Sequence, residues 1–414
     1  MYRRSSPILA GIFATALLAS ITGTVRGQTV SGTYGAPDTG LKLQQTNVHG
    51  LLIMSLPTGE AGSASKMSAI ALDADKNASA SVSFNQPVGE MMSKALGEVA
   101  KFTQLNNKGW PKGYTIELSF ADKYSDKDGP SAAVACALLL HSLITGKALD
   151  PVFAVTGDMN ADGSVQPIGG VAAKIRGATK GHCKIIGIPL KNESSLGDLL
   201  LTDGPAPFAS IQIYSISQFT DAEALALHQK PATTQTAVAE MGKVQELLLR
   251  EPAQMTAWLR NQHVIAKLQQ VLKDAPNNLS AKYLLMHATG KVPLTLSLAG
   301  SLDAIDNAAG ELVSSIKSNK GQSSSSFAGV GKASVGSNIT RLQTLRARCD
   351  LRTRAYADAI IRFGNAVKEA QDRPPGSAAR AQVLINAING SAQMVQTELD
   401  RLLGDPKVRE ELDS

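Results

Sequence analysis

Hydrophobic residues follow a strand-like pattern in the first part of the chain. Three short apolar or alternating runs, HGLLIMSLP, MSAIALDAD and SASVSFNQP, end at Pro, Asp or Asn and predict a three-stranded β-meander from Val48 onward. Val88–Leu105 has apolar residues at helical spacing and predicts an amphipathic helix. Tyr114–Phe120 alternates again, which predicts a strand leading into the turn SDKDGPS.

The middle of the chain mixes helix and strand patterns. Ser131–Thr145 is apolar on nearly all sides, which predicts a buried helix. Because the strands and helices do not alternate strictly, the pattern favours an α+β fold over a doubly wound sheet. Further strands are predicted at Val152–Val155, Lys184–Ile188 and Ile211–Ile216, and further helices after Gly169-Gly170 and at Asp221–Leu227.

Residues 229–236, QKPATTQT, mark a change in composition and are the predicted linker between two domains. The first domain would then cover 48–228. Residues 237–319 have helical periodicity and no convincing strand, with one helix expected from Leu298 to Ser318.

A Ser/Gly-rich linker is predicted at 320–337, followed by a helical hairpin over 338–414. Its two long helices are expected at Ile339–Gln371 and Ser377–Leu403, so the C-terminal region is all-α. Five arginines on the first of these helices predict a solvated or partner-facing side rather than a site for an acidic ligand: Arg341, Arg346, Arg348, Arg352 and Arg354.

Residues 1–27 have the pattern of a signal peptide. Arg3-Arg4 supplies the positive start, and the apolar run Pro7–Ile21 is short for a membrane span. We expect cleavage and export to the periplasm or the medium, with 28–47 as a linker or N-terminal arm. The alternative is an uncleaved segment that tethers the protein to the membrane.

Composition fits a folded, two-domain protein without a nucleic-acid footprint. Of its 414 residues 43% are hydrophobic and 18% charged, which suffices for a packed core. Lys and Arg exceed Asp and Glu by 41 to 35, and the expected export segment contributes part of that excess. The three cysteines, Cys136, Cys183 and Cys349, form at most one disulfide.

The candidate chemistry lies in the stretch from Asp126 to Asn192. A serine hydroxyl is a nucleophile only when a base accepts its proton, and no histidine lies in a triad motif. Lysine can take that role where burial lowers its pKa, and Lys174 lies among apolar residues in VAAKIRGA. Ser131 follows Asp128-Gly129-Pro130 at a helix start, where free backbone N–H groups can stabilise an oxyanion.

Each of these two residues also has an ordinary interpretation. Ser131 fits a helix N-cap after a Gly-Pro turn, and Lys174 fits a solvated lysine on a helix. The patterns Ser63-Ala64-Ser65-Lys66 and Ser314-Ser315-Ile316-Lys317 match the SxxK spacing by chance, because no SDN or KTG motif accompanies them.

The order of motifs resembles the proteolytic domain of Lon-type serine peptidases (peptidase family S16). The carrying motifs are KDGPSA, an apolar helix ending near TG, a strand ending in TGD, a PIGG turn, a lysine four residues later and IPLKN. The resemblance covers 48–228, and it implies a ribosomal protein S5 domain 2-like fold. It also implies Ser131 as nucleophile and Lys174 as general base of a Ser-Lys dyad.

The resemblance further implies supporting residues. Thr156 would hold the dyad in register, and Asp128 and Gly129 belong to the DGPS turn. Two positions depart from the family pattern: Ala133 replaces a usual Gly and is expected to narrow the substrate groove, and Asp158 replaces a usual Glu. No GxxxxGK[ST] motif occurs in the sequence, so we expect no ATPase module and no use of ATP.

Three functions are compatible with the sequence. The first is an exported, ATP-independent endopeptidase acting on unfolded or short polypeptides, without cofactor or metal. The second is a non-catalytic peptide-binding scaffold, which retention of both Ser131 and Lys174 disfavours. The third is an esterase or amidase using the same dyad. Expected partners are polypeptide substrates, a second copy of the chain and a protein bound by the C-terminal helices, but not nucleic acid.

Overall fold

The computed structural model describes residues 40–413, apart from 57–58, 108–109, 123–126, 319–330 and 374–375. The expected export segment lies outside the described residues, as does most of the predicted arm. The described end of that arm is ordered, because Leu41 and Leu43 pack against the hydrophobic core. The chain forms two compact units, one containing Glu60–Val292 and the other Pro293–Ser414.

The first unit combines a central sheet with ten helices among its described residues. Its elements are β1 (Gln45–Leu56), β2 (Gly59–Asp73), β3 (Ser81–Phe84), α1 (Glu90–Asn106), β4 (Tyr114–Phe120), a 3-10 turn (Pro130–Ala132), α2 (Ala133–Thr145), β5 (Phe153–Val155), β6 (Asp158–Met159), β7 (Val165–Gln166), α3 (Val171–Lys180), β8 (Ile185–Pro189), α4 (Ser194–Asp203), α5 (Ala206–Ser210), β9 (Gln212–Ile216), α6 (Phe219–Ala226), α7 (Ala232–Arg250), α8 (Met255–Leu259), α9 (Gln262–Asp274) and α10 (Leu279–Ala288).

Seven strands form one mixed sheet in the order β3-β4-β2-β1-β5-β8-β9. Strands β1, β5, β8 and β9 are parallel, whereas β4 runs antiparallel to β2 and parallel to β3. The α+β expectation is confirmed, but the predicted meander is wrong because β4 inserts between β2 and β3. Alternation within a strand reports which face is buried and does not identify the neighbouring strand.

Helices cover both faces of the parallel part of the sheet. Along β5, Phe153 and Val155 join one hydrophobic cluster with α1, α2 and α6, while Ala154 joins the cluster on the other face. Successive side chains of a strand point to opposite faces, so a strand buried on both sides reads as a continuous apolar run. This burial makes the sheet a rigid base for the loops that follow its strands.

Helices α7 to α10 belong to this same unit. Ser280 accepts a hydrogen bond from Ile213 N (2.9 Å) and donates one to Ile211 O (2.7 Å), while Asn277 O accepts one from Ser215 N (2.9 Å). These bonds satisfy backbone groups of the edge strand β9, which would otherwise be unpaired. The unit therefore continues to Val292, and the predicted linker at 229–236 is wrong because α7 begins inside it.

The second unit is all-α and has its own hydrophobic core. The helix predicted at 298–318 is interrupted at Gly310 (φ 47°), and the helix predicted at 339–371 is interrupted after Arg346. The predicted linker at 320–337 ends early, since a helix begins at Lys332. The elements are α11 (Leu298–Ala309), α12 (Glu311–Ser318), α13 (Lys332–Arg346), a 3-10 turn (Leu351–Thr353), α14 (Arg354–Asp372), α15 (Ala378–Gly404) and α16 (Pro406–Asp413).

The break between α13 and α14 has a specific cause. Asp350 N donates to Ser301 Oγ (2.8 Å), and Asp350 Oδ1 accepts from Arg352 N (2.8 Å), so the chain follows local capping bonds instead of continuing the helix. Across the break, the Arg346 guanidinium pairs with Asp358 through two nitrogens. Some of the predicted surface arginines are thus used within the unit itself.

Two further findings concern the described residues alone. All three cysteines are buried free thiols. Among the described helices, none combines the length and the apolar character that crossing a bilayer requires.

Candidate active site

Ser131 lies in the 3-10 turn that precedes the buried helix α2. Gly129 caps this turn without a side-chain bond, and the Ser131 hydroxyl has no hydrogen-bond partner among the residues that the structure describes. The N-cap interpretation of Ser131 is therefore wrong. A Cβ added to Gly129 would lie 3.9 Å from Ser131 Oγ, an ordinary van der Waals distance, so the turn itself brings the backbone of Gly129 close to the hydroxyl.

The same turn presents backbone donors next to the hydroxyl. Pro130 has no N–H, and the N–H groups of Ser131 and Ala132 come before the first bond of the turn, which Ala133 N donates to Pro130 O. The first N–H groups of a helix have no partner inside it. They are therefore available to a developing negative charge on a substrate oxygen.

Lys174 lies in the first turns of α3 and is almost completely buried, with 2% of its surface exposed. Its Nζ donates to Thr156 Oγ1 over 3.1 Å, and Thr156 Oγ1 donates to Ser131 O over 3.2 Å. Gly157 N donates to the same carbonyl over 2.8 Å. The loop after β5 thus joins α3 to the turn of Ser131, and the solvated-lysine interpretation is wrong.

Burial changes the charge state of this lysine. It lowers the pKa of Lys174 from 10.5 to about 7, while the Glu60 carboxylate opposes that shift. A charged ammonium loses its hydration when it is buried, so the neutral amine is favoured. Near neutral pH a substantial fraction of Lys174 is then able to accept a proton.

Asp128 anchors the turn instead of contacting the hydroxyl. Its Oδ1 accepts a hydrogen bond from Met91 N (3.1 Å) at the start of α1, and its carboxyl carbon would lie 2.0 Å from a Cβ on Gly89. Gly89 N also donates to Lys127 O over 2.8 Å. Glycine at position 89 is required for this close approach, which fixes the DGPS turn against α1.

A cavity of about 120 Å³ opens beside the Ser131 hydroxyl. Its apolar side consists of Leu52, Ile53, Met54 and Met92, and its polar side includes Lys127 and the DGPS turn. The expectation that Ala133 narrows the substrate groove is wrong for this cavity, because the Ala133 methyl group is buried in the hydrophobic core.

A larger cavity of about 690 Å³ lies elsewhere in the first unit, between α7 and the starts of β8 and β9. Its lining does not include Ser131, which lines the smaller cavity, and Lys174 lines neither of the two. Size alone would therefore point to the wrong place, and the chemistry of the lining residues identifies the smaller cavity as the candidate site.

Two polar residues near the site were missed by sequence reasoning. Lys127 is buried, with its Nζ 3.4 Å from Asp122 Oδ2 and 5.6 Å from the centre of the Phe120 ring. Glu60 approaches α3 through the packing of β2. In the sequence, Lys127 was marked only by its place in the motif KDGPSA. Nothing in the sequence marked Glu60, because its contact with α3 joins residues far apart along the chain.

Comparison with known proteins agrees with the site geometry. Residues 98–220 match the sequence profile of the Lon protease (S16) C-terminal proteolytic domain. The chain carries a Lon-type proteolytic domain. This domain class is that of a serine peptidase, and it is followed here by a helical C-terminal region.

Individual relatives cover the Lon-type domain and little else. A Lon protease of Methanosarcina barkeri is 45% identical over 84 residues, which is 20% of this chain and 10% of the relative. Lon protease 1 of Herpetosiphon aurantiacus is 30% identical over 164 residues, 36% of this chain and 20% of the relative. The Lon protease of Escherichia coli is 32% identical over 125 residues, 30% and 15% respectively. The chain thus spans a fifth or less of these curated relatives.

Proposed function

We propose that this chain is an exported, ATP-independent serine endopeptidase in which Ser131 is the nucleophile and Lys174 is the general base. The observation that carries the proposal is the buried Lys174 amine bonded to Thr156, whose hydroxyl bonds to the Ser131 carbonyl. The proposal of export has its support in residues 1–27, and that of ATP independence in the lack of a GxxxxGK[ST] motif.

The reaction follows from the positions of these groups. Ser131 Oγ attacks the carbonyl carbon of the scissile peptide bond while its proton moves to the neutral Lys174 Nζ. The oxyanion receives hydrogen bonds from the free N–H groups of the 3-10 turn. The Lys174 ammonium then protonates the leaving amine, and the C–N bond breaks to leave an ester on Ser131.

Hydrolysis of that ester restores the enzyme. A water molecule gives a proton to the neutral Lys174 amine as its oxygen attacks the ester carbon, and the resulting Lys174 ammonium gives that proton to Ser131 Oγ as the acid leaves. Thr156 holds the amine on the side of α3 that faces the turn, so its role is to position the base.

The cavity supports an extended, apolar substrate. Among the described residues, strand β1 pairs with β5 only at His49 and Gly50, so residues 52–54 continue past that pairing beside the cavity. An unpaired strand edge can accept a peptide as an added strand. The apolar side chains of Leu52, Ile53 and Met54 favour an apolar residue next to the scissile bond, as exposed by unfolded polypeptides.

A fluorophosphonate probe tests the assignment on the full chain. The unaltered protein should be labelled, and Ser131→Ala, Lys174→Ala and Lys174→Arg should not be, because a guanidinium remains protonated and cannot act as base. Lys180→Ala, an exposed position on the same helix, is the matched control and should be labelled normally.

Substrate assays separate the peptidase from the alternatives. Unfolded casein should be cleaved without ATP by the unaltered protein and not by Ser131→Ala. Turnover of small esters without casein cleavage would favour the esterase, and a chain that is neither labelled nor active would favour the peptide-binding scaffold.

A further inference from the structure

Strand β2 touches helix α3 backbone to backbone beside Lys174. A Cβ on Gly62 would lie 1.9 Å from Ala173 O, and a Cβ on Gly177 would lie 2.4 Å from Gly62 C. No side chain fits between the two elements at these points. Two glycines thus fix the start of β2 against the helix that carries Lys174.

This contact places Glu60 over the first turn of α3. Glu60 lies two residues before Gly62 on the strand, and its Oε2 would be 3.0 Å from a Cβ on Gly170, the residue that caps α3. Gly170 has φ 67°, so glycine is favoured there on conformational grounds as well. The carboxylate also lies at the positive end of the helix dipole.

The Lys174 side chain lies over the same turn of α3. The backbone N of Lys174 bonds to Gly170 O, and a helical side chain extends over the turn that precedes its own Cα. The Glu60 carboxylate and the Lys174 side chain are therefore both placed at the first turn of α3, close enough for their charges to interact. Part of Glu60 remains exposed, yet burial beside α3 raises its pKa and the Lys174 ammonium lowers it.

The electrostatics around this pair are simple. Among the described residues, Glu60 is the one charged group that acts on the Lys174 pKa, and Lys174 is the one that acts on Glu60. The remaining polar partner of the amine is the neutral Thr156 hydroxyl. Burial favours the neutral amine, and the carboxylate favours the ammonium.

We propose that Glu60 is a positioning residue for Lys174, holding its protonated form over the first turn of α3 and so setting the acidic limit of the reaction. The inference rests on the proposed function. The Glu60 carboxylate stabilises the Lys174 ammonium and so keeps the side chain in place between the two proton transfers. Because the ammonium cannot accept a proton, the same effect lowers activity below neutral pH.

The test is the pH dependence of kcat/KM for an unstructured fluorogenic peptide with leucine before the scissile bond. Glu60→Gln removes the charge at nearly constant size, so the acidic midpoint should move to lower pH and relative activity near pH 6 should rise several-fold. Glu117→Gln, a carboxylate on β4 in the same sheet, is the matched control and should leave the midpoint unchanged.

A second variant keeps the inference testable if Glu60→Gln fails to fold. Glu60→Asp withdraws the carboxylate by one methylene and should move the midpoint in the same direction by less. A midpoint for both variants equal to or above that of the unaltered protein overturns the inference. If instead the unaltered protein is neither labelled at Ser131 nor active on the peptide, the proposed function itself fails. The two failures are distinguishable, because failure of the inference alone leaves an active enzyme whose midpoint does not change in the variants.

Discussion

Lys174 lies in an environment that penalises its ordinary charged form. The side chain is buried, and among the described residues it has one hydroxyl as its hydrogen-bond partner and one partly exposed carboxylate acting on its charge. Buried lysines in such surroundings are costly for stability and are therefore found where a neutral amine has a use. This cost gives a prediction that does not depend on assaying the reaction.

Lys174→Met should stabilise the protein while abolishing activity. The unfolded chain binds this proton up to pH 10.5 and the folded chain only to about 7, so the unfolded state holds more protons between these values. The penalty is complete below pH 7 and disappears above 10.5. The variant should therefore gain about 2–5 kcal/mol in free energy of unfolding at neutral pH, with the gain shrinking as pH rises.

Urea unfolding from about pH 6 to about pH 10 measures this gain. Lys180→Met on the exposed side of α3 is the control and should show almost no pH-dependent gain. A gain for Lys174→Met that is absent, or that does not vary with pH, would contradict a buried amine of lowered pKa.

At the residue scale, the two site residues were predicted from sequence motifs and not from residue spacing alone. Ser131 and Lys174 were identified from KDGPSA and the PIGG turn, and the structure brings both to the loop after β5. Glu60 was not identified, because its position near Lys174 depends on the packing of β2 against α3. A local pattern contains no information about such a contact.

At the element scale, the contact between β2 and α3 determines where the base is held. Gly62→Ala would place a methyl group against Ala173 O, a backbone atom that cannot rotate away. We expect a loss of about 2–4 kcal/mol in stability. Fluorophosphonate labelling of Ser131 should also decrease, because the start of β2 must move away from α3, the helix that carries Lys174.

Gly97→Ala is the matched control for this prediction. Apart from its chain neighbours and the backbone of its own helix, no atom lies within 4 Å of a Cβ at that position in α1, so the change should be neutral or stabilise the helix by up to about 1 kcal/mol. Thermal unfolding and probe labelling of both variants provide the measurement. A Gly62→Ala protein with unaltered melting temperature and labelling would show that the contact is dispensable.

Element positions were predicted more reliably than their pairing. The strand Tyr114–Phe120 and the buried helix after Ser131 agree with the structure, since the strand alternates strictly and the helix is a continuous apolar run. The neighbours of β3 and the break after Arg346 were missed. Both depend on partners distant in sequence: β4 for the strand, and Ser301 at α11 for the break.

At the scale of the whole molecule, the proposed chemistry lies in the first compact unit, which has its own two hydrophobic clusters. The predicted boundary at 229–236 followed a change in composition. The fold continues across that change, because residues at and just before the start of α10 bond to the edge strand β9. Self-association, a partner for the C-terminal helices and export remain predictions.

The pH dependence of fluorophosphonate labelling, with the labelled residue identified by mass spectrometry, tests the central claim most directly. We predict a single label on Ser131, at a rate that rises with pH through a midpoint near the Lys174 pKa of about 7 and then levels off. A label on another residue, or a rate that keeps rising toward the ordinary lysine value of 10.5, would contradict a buried, neutral Lys174 as the base.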